Sequence, residues 1–551
     1  MRFLFLALFL AISTISFGQD QQPDYNLELK STKFYPEGLS GIWNYVAPDG
    51  HEYAVVGTQT ATSIIDLKDP ENPLEIANFP GSNNSWREAR YWGSFIYVTT
   101  EAKDGLLIID MSDPSAPTGN FWKPLLIVNG NEEQFETCHS INMDEKGIMA
   151  LNGTNINGGT ALLFDVNTTP GAPIYLGTLS PPQYTHDSYM QDDVLYTFDI
   201  LDGVFRVFNA KNPADPELLA VQETSFAFTH NGWTSDDGHY LFTTDERANA
   251  YVDSYDISDL TDIKKLDVFR SVATEGKGVI PHNTYWRDGY LITSYYTDGV
   301  KVIDAHKPDN LIEVGSYDTY KGADGGFHGA WGVCPFFPSG LIVVSDIENG
   351  LFVLQPSYIR ACYLEGKVSD TDANLLPQVD VKIISPIFNK SETDAQGEYR
   401  TGIADAGAYM VTYSKEGYYP QTLPVQLENG QVTIQDVILQ KIPLLNFNGL
   451  ATIKTIGGGV PEAQIALSGE YGEFYATADQ EGIFTFSLYP GKYHLIAGAW
   501  GYLYNEIDSI EFDAEHTSFS IELEKGYQDD FVFDFQWTVT GTAETGLWER
   551  G

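Results

Sequence analysis

The chain has 551 residues, 43% hydrophobic, 13% aromatic and 19% charged, which is the composition of a folded protein too long for one ordinary domain. A formal charge of −45 excludes nucleic acid as a partner, because phosphate binding needs clustered Lys and Arg, and it argues against an anionic membrane surface. Three cysteines, Cys138, Cys334 and Cys362, are too few for a disulfide framework; they leave a Cys138–Cys334 pair open and place the fold's stability on core burial.

The first twenty residues, MRFLFLALFLAISTISFGQD, carry one basic residue, Arg2, then an apolar run and small residues before Gln19. That pattern predicts a signal peptide over 1–19 and export. Its apolar core is too short to span a bilayer, and no later stretch is long and apolar enough, so no transmembrane segment is expected.

Glycine is abundant (51), as are tyrosine (33) and phenylalanine (31), and no long segment repeats at 3.6 residues. The expectation is all-β. From 25 to 358 one phrase recurs: a strand ending in Asp, then a loop with Pro, as in TSIIDLKDPENP, GLLIIDMSDPSAP and GVKVIDAHKPDN. Its marker residues are Asp66, Asp110, Asp165, Asn209, Asp256, Asp304 and Gln355, spaced by 44, 55, 44, 47, 48 and 51 residues. A period near 45 accommodates four short strands with turns, so seven units predict a seven-bladed β-propeller over 25–358. The phrases resemble the LVIVD repeat. The wider run, with THDSY, THNGWTSDDGHYLFTTDE and PHNTYWRDGYLITSYYTDGVKVID, resembles the choice-of-anchor B family. That resemblance implies an exported, propeller-like surface protein and brings no catalytic activity with it.

Beyond 358 the grammar changes. Residues 359–442 and 443–526 each carry a strand, a Leu-Pro or Val-Pro step, a T-D-x-x-G-x-(Y/F) or A-D-x-x-G-x-(Y/F) turn and a closing G-x-Y strand. Both resemble the carboxypeptidase regulatory-like domain, which implies two small β-sandwiches, read as spacers with sugar binding as the alternative. Residues 527–551 begin a further β-rich unit similar to the opening of jelly-roll-like domains. It ends without a closing strand, so an anchor or sorting signal is expected in a part beyond it.

Histidines keep step with the repeat. His139, His186, His230, His282 and His328 precede their markers by 26, 23, 26, 22 and 27 residues, each opening an aromatic strand. In the second unit the matching place is Arg87, and the first unit, SGIWNY, has no histidine there. If each histidine opens the innermost strand of a blade, the five surround the axis near one mouth. The second strands end at that mouth, bringing Glu101, Asp199, Asp245, Glu246, Tyr296 and Asp346 to the rim. Imidazole with carboxylate suits a divalent transition metal, so the five histidines, with Asp199, Glu246 and Asp346, are the candidate ligands. Arg87 and Glu101 are candidates for contact with a polar or anionic ligand. The competing reading makes each histidine a structural fastening repeated with the blade. No H-E-x-x-H, no G-x-S-x-G with ordered partners and no P-loop is present, so no catalytic residue is assigned.

The leading expectation is a secreted or cell-surface binding module: a propeller head on β-sandwich spacers, with an extracellular protein, a glycan or a small ligand as partner. A metal-dependent enzyme built on the histidines, and a carbohydrate-binding accessory part of a larger secreted protein, are the alternatives.

Overall fold

The structure, a computed structural model, describes residues 23–526 and Phe533; the predicted signal peptide and nearly all of the unit at 527–551 lie outside the described residues. The fold is all-β: among the described residues the only helical element is a 3-10 turn, Asn157–Gly159, and no helix is long and apolar enough to cross a membrane.

Seven four-stranded antiparallel sheets occupy 27–356. Sheets 1 to 6 each take four strands in chain order, spanning 39–80, 89–122, 140–178, 187–223, 229–269 and 284–317. Sheet 7 is assembled from both ends of this segment. Ala330–Cys334, Ile342–Asp346 and Gly350–Pro356 are joined by Leu27–Lys33, which pairs with the last of them from Leu27↔Pro356 to Lys33↔Leu351. No local turn signal links strands more than 300 residues apart, which is why the sequence does not announce this pairing. Each first strand packs on the first strand of the next sheet; that of sheet 7 packs on sheet 6 and returns to sheet 1. Burial follows this order. The first strand of sheet 1 (Leu39–Val46) is buried almost throughout, whereas the fourth strands Leu74–Pro80 and Glu217–Glu223 are largely open.

The recurrent Asp now has a physical reason. It ends the third strand, and its side chain accepts the N–H of the second residue beyond: Lys68 on Asp66, Ser112 on Asp110, Asn167 on Asp165, Lys211 on Asn209, Ser258 on Asp256 and His306 on Asp304, at 2.8–3.2 Å. Such turns stop a strand and redirect the chain at little cost. The 55-residue interval between Asp110 and Asp165 contains an inserted hairpin, Leu125–Val128 with Asn131–Gln134. The Cys138–Cys334 pair left open by the sequence does not form: all three thiols are free and buried, Cys138 and Cys334 in separate apolar clusters.

Residues 362–439 and 445–523 have their own apolar cores, around Leu364, Tyr399 and Tyr413 and around Phe447, Phe486 and Phe512. Each packs two sheets and pairs its first strand in parallel with its last. In each, an Asp (Asp394, Asp479) accepts two backbone N–H groups of a tight turn whose glycine (Gly397, Gly482) has positive φ. The first of these units docks on the periphery of sheet 6. Asp304 accepts the Ala361 N–H at 2.6 Å, and Asn310 donates to Glu365 and to the Thr401 carbonyl. That cover explains why the outer strand Ile312–Tyr317 is buried where its counterparts are not.

Candidate functional site

The first strands converge, and His139, His186, His230 and His282 stand side by side where they begin. Ring centroids are 4.2 Å apart from His139 to His186, 4.4 Å from His186 to His230 and 4.2 Å from His230 to His282. Three are set by a backbone bond to the end of the second strand, from His139 to Asn152, His186 to Phe198 and His282 to Ser294. His230 is the bulged residue between the pairs Thr229↔Asp245 and Asn231↔Thr244.

The carbonyls of these positions form a second chain of contacts. Those of His139, His186 and His282 accept from Thr99, Ser140 and Thr244 of the preceding sheet, and His186 Nδ1 approaches the His230 carbonyl at 3.3 Å. His282 Nδ1 lies 2.5 Å from the Trp331 carbonyl. Trp331, not His328, therefore holds the corresponding place in sheet 7: it is bulged between Ala330↔Asp346 and Gly332↔Ser345, as His230 is in sheet 5. His328 lies apart from the arc, half exposed, stacked on Tyr320 and bonded to Glu348. The sequence carried this signal, since Trp331 precedes Asp346 by the same 15 residues that separate His230 from Asp245.

The carboxylates divide. Glu246 faces the arc, its two oxygens 3.9 Å from His230 Nε2 and 3.6 Å from His282 Nε2, and it accepts the Tyr296 hydroxyl at 2.6 Å. Glu101 holds His139 Nδ1 at 2.6 Å. Asp199 is fully buried against Arg206 and Thr197. Asp346 accepts the N–H groups of Glu348 and Asn349, and Asp245 those of Phe226 and Phe228. The structure thus brings Glu246 and Glu101 to the histidines and gives Asp199, Asp245 and Asp346 to local partners.

Arg87 turns away from the arc. It is buried, and its guanidinium donates to the carbonyls of Thr58, Gln59 and Ser82 in and beside sheet 1. In sheet 1 the chain approaches so closely that a Cβ on Gly41 would sit 2.1 Å from the Arg87 carbonyl oxygen, which leaves no room for a side chain there.

Burial and the neighbouring histidines hold His186 well below its ordinary value and bring His230 and His282 to about 3, so all three are neutral at physiological pH. His139 differs. Burial pulls it down, but its bond to Glu101 and the charges of Glu101, Glu88 and Asp187 outweigh that and raise it. Glu88 is itself pushed up to about 7 by burial and by Asp187.

A second layer lies three residues along each strand: Trp43, Arg90, Asn142, Tyr189, Trp233 and Tyr285. Trp233 packs on Trp43, Tyr189 and Tyr285, and the Arg90 guanidinium lies 3.5 Å from the centre of the Trp43 ring. A cavity of about 440 Å³ opens beside Trp43, Arg90, Trp233 and Phe336. The sequence signal for this layer is the constant offset of three from Arg87 and the histidines.

The ligand atoms of His230, Glu246 and His282 all lie within 4.8 Å of one another, close enough to share one ion; the trio of half-buried His494 with exposed Glu506 and Asp508, in the second C-terminal unit, does the same. Residues 363–440 match the family model of the carboxypeptidase regulatory-like domain. No curated protein matches the chain.

Proposed function

We propose that the chain is an exported, seven-bladed propeller of the choice-of-anchor B type, acting as a binding head carried on two carboxypeptidase regulatory-like sandwiches. Support for the propeller comes from the cyclic neighbour order of the seven sheets and from Leu27–Lys33 completing the last of them. Support for the second sandwich comes from its parallel first-to-last pairing and its Asp-Gly turn, both shared with the matched unit.

The observation that carries the binding role is the composition of the histidine end. Trp86, Leu201 and Phe327, all exposed, lie on the strand-connecting segments at that end, around a convergent set of buried imidazoles with the carboxylates of Glu101 and Glu246 beside them. Exposed apolar groups around convergent polar ones are the anatomy of a recognition surface. The first sandwich docks at the periphery of sheet 6, leaving this central surface to a partner.

The test is capture of ligands from an extracellular glycan and peptide panel by the full chain. A Trp86→Ala, Phe327→Ala double variant should lose at least 10-fold in affinity while retaining its melting temperature. Capture that survives this variant but disappears when the sandwich surface is altered would move the binding function to the sandwiches.

A further inference from the structure

The geometry points to a divalent transition-metal site formed by His230 Nε2, His282 Nε2 and the Glu246 carboxylate, with a coordination position left for a water or ligand group. Three observations carry it. The first is the tautomer of His282. A carbonyl can only accept, so Nδ1, 2.5 Å from the Trp331 oxygen, bears the hydrogen, and the neutral ring presents a bare Nε2 lone pair. That lone pair faces Glu246 Oε1 at 3.6 Å. Two electron-rich atoms facing each other in a buried place call for a cation between them.

The second is His230. Its side chain is 4% exposed, its Nδ1 has no hydrogen-bond partner, and its Nε2 lies 3.9 Å from Glu246 Oε2, beyond hydrogen-bond reach. A buried imidazole with an unpartnered Nδ1, beside a carboxylate beyond hydrogen-bond reach, is an incomplete arrangement.

The third is the setting. A donated Nδ1–H and a tethered carboxylate are the outer contacts that orient metal ligands, and here they are the Trp331 carbonyl and the Tyr296 hydroxyl. Ligands of a tetrahedral ion at about 2.0–2.1 Å stand about 3.3 Å apart. The two oxygens of Glu246 stand 3.6 Å from His282 Nε2 and 3.9 Å from His230 Nε2, and the ligand atoms all lie within 4.8 Å of one another, so the three side chains close on one ion by small movements.

Two imidazoles and one carboxylate suit zinc and its first-row neighbours rather than calcium or magnesium, which prefer oxygen alone. Three protein ligands leave a zinc-like ion unsaturated, as in sites that act on or bind an exogenous group. The inference deepens the binding-head reading by placing an electrophilic centre at its mouth. It is read out without any partner, so failed partner capture would leave it standing.

The experiment is titration of the chelator-stripped full chain with Co(II), followed by visible absorption. One saturable equivalent per chain with the intensity of a four- or five-coordinate site is expected. Glu246→Gln keeps the side-chain volume and an acceptor for Tyr296 and should weaken binding about 100-fold, as should His282→Ala; His494→Ala should change nothing. X-ray absorption of the zinc-loaded natural chain should report two imidazoles and at least one carboxylate oxygen. Absence of saturable binding, binding that survives Glu246→Gln, loss on His494→Ala, or an oxygen-only shell would each overturn the assignment.

Discussion

Arg87 separates a ligand-contacting role from a structural one by a stability measurement. Its guanidinium is buried and divides its donors among three carbonyls, those of Thr58 at 2.8 Å, Gln59 at 3.3 Å and Ser82 at 2.5 Å. Charge-assisted hydrogen bonds of this kind contribute about 1.5–3 kcal/mol each, so the three together are worth about 5–9 kcal/mol. Burial of the cation offsets several kcal/mol of that, and it shows as a guanidinium pKa lowered by desolvation despite nearby Asp104. Arg87→Met removes the donors, keeps the stem and should cost about 3 kcal/mol. For a unit of this size that is a fall of about 5–10 °C in the first melting transition, followed by tryptophan fluorescence. Arg87→Lys, with one compact donor head, should fall in between. A group kept for ligand contact behaves in the opposite sense: replacing a buried cation with an apolar chain would leave stability unchanged or raise it. A melting temperature for Arg87→Met within 1 °C of the natural chain, or above it, would refute the clamp and return Arg87 to the ligand site.

Asp267 accepts the Leu311 N–H at 2.7 Å and is pushed up to about 6 by burial, with Asp309 adding to the effect. A raised carboxyl pKa means that ionisation penalises the folded state, so the penalty is absent below the unfolded value of 3.8 and complete above about 6. Asp267→Asn should therefore gain up to about 3 kcal/mol over the natural chain at pH 7–8 and nothing at pH 4, read from paired urea titrations; a difference independent of pH would show that the carboxylate ionises freely. Deleting residues 23–33 removes the strand Leu27–Lys33 and bares the edge of Gly350–Pro356. The expected outcome is a concentration-dependent, aggregating first transition that a synthetic 23–35 peptide reverses, and an unchanged monomeric melt would contradict a stabilising role for the pairing of that strand with Gly350–Pro356.

Much of the architecture was legible because the features that repeat are local. An Asp that caps its own turn leaves the same mark wherever a third strand ends, and it does so from Asp66 to Asp304. The Asp-Gly turns of the C-terminal units leave a similar mark. What escaped the sequence depends on separation or on a local irregularity. Leu27–Lys33 finds its partner more than 300 residues away. Trp331 precedes Gln355 by 24 residues, within the 22–27 range of the histidines, but a count that looks only for histidine passes over it and stops at His328. Among the carboxylates at strand ends, only the third dimension distinguishes Glu246, turned to the histidines, from Asp245 beside it, turned to its own loop.

The repetition of histidine can now be weighed against the demands of the fold. If the imidazoles were kept to fasten one sheet to the next, each should contribute a bond that another side chain could not. The fastening is instead carried largely by backbone carbonyls: those of His139, His186 and His282 accept from threonine or serine of the preceding sheet. The Trp331 carbonyl accepts from Ser294 in the same way, so the position works without an imidazole. His186 and His282 add an Nδ1 bond to the next carbonyl, which uses one nitrogen of each ring and leaves the other unassigned. His230 Nδ1 makes no such bond, and its carbonyl needs no imidazole to accept the contact from His186. Packing therefore accounts for a polar residue with a free carbonyl at this place, and for a ring of roughly this size. It does not account for the His282 Nε2 lone pair 3.6 Å from Glu246, nor for His230 Nε2 at 3.9 Å from the same carboxylate, and that surplus is the part of the pattern that the proposed ion would explain.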